Sequence, residues 1–208
     1  MKKILCYGDS NTWGCSPVDS TRFDENTRWP MVMNTILGND FLVIEEGLNG
    51  RTVLNLSQDN YMLNGMEYAN SLIKNHSPID ILVLNLGLND VFIFEEVTIN
   101  EILSGIEKII DIVNDFQNRH CCIIPETVIM SPLKFNRHVD WADFIQLQLN
   151  KLKELPAAYK KLAQKRNCHF FDTYEYVSGS AIDGSHLDSD NHFFLGKKMA
   201  EFILSRFK

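Results

Sequence analysis

The sequence has no Lys- or Arg-rich run, no C-x-x-C pair and no apolar stretch near the ~20 residues that span a bilayer. Its 20 basic residues are outnumbered by 27 acidic ones, for a net charge of -7. Binding a polyanion needs a basic footprint, so no nucleic-acid partner is expected. The apolar run Ile4–Tyr7 stops at Gly8-Asp9, far short of a signal-peptide core. A cytoplasmic protein with no membrane contact is therefore the expectation. The cysteines are Cys6, Cys15, Cys121, Cys122 and Cys168, an odd set without metal-ligand spacing. They read as buried free thiols of a reducing compartment, two of them inside strand-like runs, and no metal site is expected.

What is present is an ordinary globular composition: 208 residues, 45% hydrophobic and 23% charged. That length supports one sizeable core and is short for two, so residues 1–208 are read as a single domain. Five short apolar runs look like strands: Ile4–Tyr7, Phe41–Glu45, Ile81–Leu86, Thr127–Met130 and His169–Phe171. The third is rich enough in Ile, Leu and Val for burial on both faces. Between and after them, helical spacing marks Trp29–Leu37, Met66–His76, Ile99–Phe116, Leu149–Arg166 and Asn191–Phe207. Pro156 argues for a later start to the fourth helix. Strands alternating with helices imply parallel βαβ units and a three-layer α/β/α sandwich around a five-stranded sheet. The segment RHCCIIPE, Arg119–Glu126, fits a buried edge or a subunit contact.

The polar residues follow the strands. GDSN (8–11) ends the first, EEGLNGRT with Gly47, Asn49 and Gly50 the second, and LGLND with Gly87, Asn89 and Asp90 the third. After the last strand comes DGSH, with Asp183 three residues before His186. In a parallel sheet these clusters share the edge where ligands bind, outside the carboxyl ends of the strands. The set suits acyl transfer. A serine hydroxyl needs an adjacent base, a histidine base needs an acceptor on its other nitrogen, and Asp183 lies within one turn of His186. The tetrahedral intermediate needs preorganised donors, worth roughly 2.7–4 kcal/mol each. The Ser10 and Gly50 N–H groups and the Asn89 amide are the candidates, with Asp90 holding its loop.

These blocks, in this order, resemble the GDSL, or SGNH, hydrolase superfamily. GDSNTWG, RF…RW (Arg22, Phe23, Arg28, Trp29), VIEEGLNGRT and DGSHL are similar to its bacterial arylesterase and acyltransferase branch. The resemblance implies a flavodoxin-like sandwich and hydrolysis of small-molecule esters without metal or cofactor. It assigns the nucleophile to Ser10, the base to His186, the acid to Asp183 and the oxyanion hole to Ser10, Gly50 and Asn89. Two departures stand out: Asn11 occupies the position of the family name's leucine, a variation common in this superfamily, and Asn49 precedes the oxyanion glycine where serine is often found, which removes no catalytic group.

Other readings compete. Ser10 fits a helix N-cap, with Asp9 as a turn residue. His192 rivals His186, but is placed in the first turn of the last helix as a solvated side chain; Asp188 and Asp190 rival Asp183. His76, His120, His138 and His169 read as surface or satisfied polar groups. Trp13, Phe92, Ile93 and Phe94 are candidates to wall an apolar slot for the substrate; the Phe92–Phe94 run alternatively fits a contact in a homo-oligomer. Within the enzyme class the alternative is a carbohydrate O-deacetylase. Outside it are a flavodoxin-like phosphate-binding module, which lacks the glycines and lysine of a phosphate loop, and a scaffold that kept only the fold.

Overall fold

The protein is described from a computed structural model that covers residues 1–55, 61–93 and 96–207. Strand β1 (Lys2–Gly8) runs into a four-residue helix, α1 (Ser10–Trp13), and α2 (Trp29–Leu37) leads to β2 (Phe41–Gly47). There follow α3 (Gly65–His76), β3 (Ile81–Asn85), α4 (Leu88–Ile93), α5 (Ile99–Arg119) and β4 (Glu126–Met130). The chain ends with α6 (Gln146–Lys165), β5 (His169–Phe171), α7 (Thr173–Tyr176) and α8 (Ser189–Arg206).

All strand pairs are parallel and the order is β2-β1-β3-β4-β5. The central strands β1, β3 and β4 are buried on both faces, and the period-2 alternation of the strands divides the core in two. Leu5, Tyr7, Leu82, Leu84 and Ile129 pack under α3, α5 and α6. Ile4, Cys6, Ile81, Val83, Val128 and Met130 pack under α2 and α8. This is the expected three-layer sandwich. The direction in which strands are added reverses between β1 and β3, which places a switch point, and with it a crevice, beside the carboxyl end of β1.

The helices form where amphipathic spacing meets a start signal. In α5 the stripe Ile102, Ile106, Ile109, Ile110 and Val113 is buried, and Thr98 and Glu101 close a capping box at its start. Pro30 occupies the first turn of α2, where a missing N–H costs nothing. Helix α6 departs from expectation: it begins at Gln146, earlier than the sequence suggests, and continues through Pro156. Its buried face of Leu149, Leu152, Leu155, Tyr159 and Leu162 holds the helix against the core on both sides of the proline.

Other expectations are corrected by burial. Cys6 and Cys15 are buried free thiols, but Cys121 is exposed and Cys122 and Cys168 are half-buried. Of the five, only Cys6 lies within a strand. Arg119–Glu126 is not a buried edge: Ile123 is 85% exposed, and its carbonyl accepts a hydrogen bond from the buried Gln117 amide. His192 is in the first turn of α8 but is fully buried rather than solvated. It lies edge-on to Phe23, and its Nδ1 accepts the Trp29 N–H at 3.3 Å. Donation from the Trp29 N–H requires an unprotonated Nδ1, so the fold selects a neutral ring.

Burial pushes the His192 imidazole down to about 4, from an ordinary value of 6.5. A depressed folded value means that its contribution is complete above pH 6.5 and declines as the pH falls toward about 4. Replacing it by asparagine leaves an acceptor oxygen near the Nδ1 position but removes the titration. The stability difference between wild type and His192→Asn, from urea unfolding across this window, should therefore shrink by about 3 kcal/mol on acidification. A difference independent of pH would show that His192 does not carry this acid sensitivity.

Candidate active site

The turn after β1 is built around Asp9. Its carboxylate accepts the Asn11 N–H at 2.9 Å, which makes Asp9 the N-cap of α1 and Ser10 its first residue. Ser10 is therefore not the cap that an isolated Gly-Asp-Ser suggests, and its hydroxyl is free for other work. Asp9 is fully enclosed, and burial pushes its carboxyl up to about 6 despite the Asn11 N–H and the nearby His186. The end of β2 presses against this turn: a Cβ added at Gly47 would lie 2.1 Å from the Trp13 nitrogen. Only glycine allows that approach.

The DGSH segment meets the same turn. His186 Nε2 is 3.0 Å from Ser10 Oγ, and His186 Nδ1 is 2.6 Å from Asp183 Oδ2. The other Asp183 oxygen accepts the backbone N–H groups of Ser185 and His186, each at 3.0 Å, and the Ser180 hydroxyl at 3.2 Å. Partial burial raises the Asp183 carboxyl, but bonds from the His186 ring and these N–H groups outweigh it and leave it below the ordinary carboxylate value. Asp183 is thus ionised at neutral pH and fixes which imidazole nitrogen faces Ser10. The rivals are occupied elsewhere. Asp188 caps α8, Asp190 is exposed, and His192 points at Trp29.

The second and third strands bring in the remaining candidates. Gly50 has φ +75°, a left-handed conformation that favours glycine. Neither its N–H nor that of Ser10 has a hydrogen-bond partner among the described residues. One Asn89 Nδ2 hydrogen is donated to the Arg51 carbonyl at 2.9 Å, which leaves the second unspent. Asp90, fully buried, accepts the Val53 and Leu54 N–H groups at 2.8 and 2.9 Å, and so ties the loop after β3 to the loop after β2.

Arg51, adjacent to Gly50, escaped the sequence reading. Its buried guanidinium donates to the carbonyls of Gly8, Glu46 and Met62 at 3.0, 2.5 and 3.0 Å. It also lies over the Tyr7 and Tyr68 rings at 4.7 and 5.2 Å. The side chain therefore pins the loop carrying Gly50 to the ends of β1 and β2. An arginine directly after the glycine of a quoted block was a legible signal, but its burial was not.

The candidate substrate residues are less concentrated. Trp13 is half-buried beside the Ser10 turn, with the Arg22 guanidinium 5.5 Å from its ring centre. Phe92 is half-buried and packs against Phe135 at 5.7 Å, whereas Ile93 is 55% exposed; Phe94 lies outside the described residues. Phe135 and Trp141, 5.2 Å apart, extend this aromatic cluster and were not foreseen. They belong to the segment after β4 (Glu126–Met130), which the sequence reading did not single out. His76 and His169 pair with Glu46 and Glu126, and His120 with a backbone carbonyl. No group of three His, Cys, Asp or Glu side chains among the described residues is placed to hold a metal ion.

Known proteins share this fold. The chain is similar to the aryl esterase of M. smegmatis, with 32% identity over 99% of both chains and a TM-score of 0.89. It is also similar to a carbohydrate acetylesterase from Sinorhizobium meliloti, with 29% identity over 100% of both chains and a TM-score of 0.89. No curated protein sequence matches it at a significant level. The profile of one family covers residues 6–197, from within β1 to within α8 and so across every block assembled around Ser10. By that match, the chain belongs to the GDSL-like lipase/acylhydrolase family.

Proposed function

We propose that this serine ester hydrolase cleaves short-chain or aryl carboxylic esters through an acyl-enzyme, with Ser10 as nucleophile, His186 as base and Asp183 as its orienting acid. The observation that carries the reading is the continuous chain Ser10 Oγ–His186 Nε2, 3.0 Å, and His186 Nδ1–Asp183 Oδ2, 2.6 Å. Ser10 Oγ attacks the ester carbonyl carbon as His186 takes its proton, and Asp183 stabilises the imidazolium. The carbonyl oxygen becomes an oxyanion facing the unpartnered N–H groups of Ser10 and Gly50 and the spare hydrogen of Asn89. Collapse breaks the bond to the alcohol, which leaves with the proton from His186. Water then attacks the acyl-serine, His186 takes its proton and returns it to Ser10, and the carboxylic acid departs; an acceptor alcohol in place of water gives acyl transfer.

Similarity to the acetylesterase favours a second reading, removal of acetyl groups from a carbohydrate, by the same steps with a sugar hydroxyl as leaving group. The phosphate-binding alternative leaves the Asp183–His186–Ser10 chain without a use. Trp13 and the Phe92–Ile93 segment are proposed to wall the substrate slot; Phe94 belongs to the same run. The exposed Ile93, with Phe144 and Leu147, keeps a homo-oligomer among the proposals. Residence in a reducing, cytoplasmic compartment is supported by the free thiols of all five cysteines. No helix among the described residues is long and apolar enough to cross a membrane.

Wild-type protein should hydrolyse p-nitrophenyl acetate, and Ser10→Ala should lower kcat at least about a thousandfold. Turnover that survives the substitution would remove Ser10 from the reaction. For the oxyanion hole, Asn89→Ala should lower kcat by about 10²–10³-fold with little change in KM, because the spare hydrogen acts on charge that develops only in the transition state. A pure rise in KM would instead make Asn89 a ground-state binding residue. The slot is tested by lengthening the acyl chain in steps. Trp13→Ala should shift the preferred length upward, and an unchanged profile would remove Trp13 from the pocket wall.

A further inference from the structure

We propose that Asn11 is a positioning residue for His186, a clamp that sets the distance between base and nucleophile; this rests on the catalytic roles proposed above. Asn11 follows Ser10 directly in α1 and is only 3% exposed. Its Nδ2 donates to the Ser185 carbonyl at 3.1 Å, and its Oδ1 accepts the Leu187 N–H at 3.0 Å. These are the backbone groups on either side of His186. One side-chain amide therefore holds the chain before and after the base, while the Asn11 N–H is held by Asp9 at 2.9 Å.

Asp183 and Asn11 constrain different things. Asp183 fixes the orientation of the imidazole through Nδ1, but it lies on the same turn as His186 and would travel with it if that turn shifted. Asn11 belongs to the turn of the nucleophile, 176 positions away from Leu187 in sequence. It ties the backbone on both sides of His186 to the turn that carries Ser10. The task needs a donor and an acceptor on one short planar group. Aspartate offers only acceptors, leucine offers neither, and glutamine places its amide one methylene farther out. This is also the position at which the chain departs from the leucine of its family name. Leucine there would leave the enclosed Leu187 N–H without its partner, and the DGSH turn would be free to shift to recover one. Displacement of a catalytic group by about 1 Å can cost roughly 10²-fold in rate.

The test compares wild type, Asn11→Leu and Asn11→Asp, each titrated with a fluorophosphonate so that kcat on p-nitrophenyl acetate is expressed per reactive serine. Asn11→Leu should lower kcat per titrated site by about 10- to 100-fold, with KM within about twofold of wild type. Asn11→Asp, which keeps the Leu187 bond but sets a buried carboxylate oxygen against the Ser185 carbonyl, should fall at least as far as Asn11→Leu. The low-field proton resonance of the His186–Asp183 hydrogen bond should shift or broaden in the same order. The clamp is overturned if kcat per titrated site and the resonance match wild type while only the titratable fraction falls, since that is what a purely structural residue would give. If wild type neither titrates nor turns over, yet the resonance still moves in Asn11→Leu, the clamp stands and the ester-hydrolysis reading fails.

Discussion

The site depends on the parallel pairing of β1 with both of its neighbours. Gly8 is level with Gly47 on one side and Asn85 on the other, so three strands end at the same height. The loops that leave them carry Ser10, Gly50 and Asn89, residues far apart in sequence that meet without any long excursion of the chain. A parallel strand must also be buried on both faces, and the layers of α2 with α8 and of α3, α5 and α6 provide that burial. The proposed reaction centre therefore stands at the ends of three paired strands. The hydrophobic pattern that selects the fold also sets the height of Ser10, the proposed nucleophile.

At that edge, charge is buried as well as apolar surface. Arg51 and Asp90 are enclosed, and both are satisfied mainly by backbone: Arg51 by three carbonyls, Asp90 by two N–H groups. A buried ion left unsatisfied would be costly, and each of these instead neutralises polar groups that turning loops would leave unpaired. The loops after β2 and β3 are thereby tied to each other and to the sheet. Tyr159 adds a further tie, donating from α6 to the Leu86 carbonyl at 2.9 Å. Among the described residues, the Ser10 and Gly50 N–H groups keep no such partner. Rigid surroundings with a few unspent donors are what stabilisation of a developing oxyanion requires.

Much of this was legible in the sequence because it is periodic or local. The stripe of α5 spans three turns of repeated isoleucine, and Trp29–Leu37 and His169–Phe171 match their elements residue for residue. Asp183 and His186 are three positions apart, so their contact follows from one turn of chain. What was not legible depends on the environment. Pro156 reads as a helix breaker until the leucines on both sides of it find the core. His192 reads as solvated by its place in a first turn, but the packing of α8 on α2 encloses it against Trp29. Arg51 and Asn11 lie inside quoted blocks, yet their roles depend on carbonyls and N–H groups that only the folded chain brings to them.

The same distinction bears on substrate choice. The groups proposed to act on the reacting carbonyl are held by hydrogen bonds of defined direction, which few residue types can replace. The apolar surroundings are held by contact, as in the cluster of Phe92, Phe135 and Trp141, and many side chains of similar volume would serve there. Asn11 belongs to the directional class although it stands at the position of the family's leucine: both ends of its amide are used, and on the two sides of one residue, His186. In the proposed mechanism, a substitution at Asn11 acts on the reaction itself.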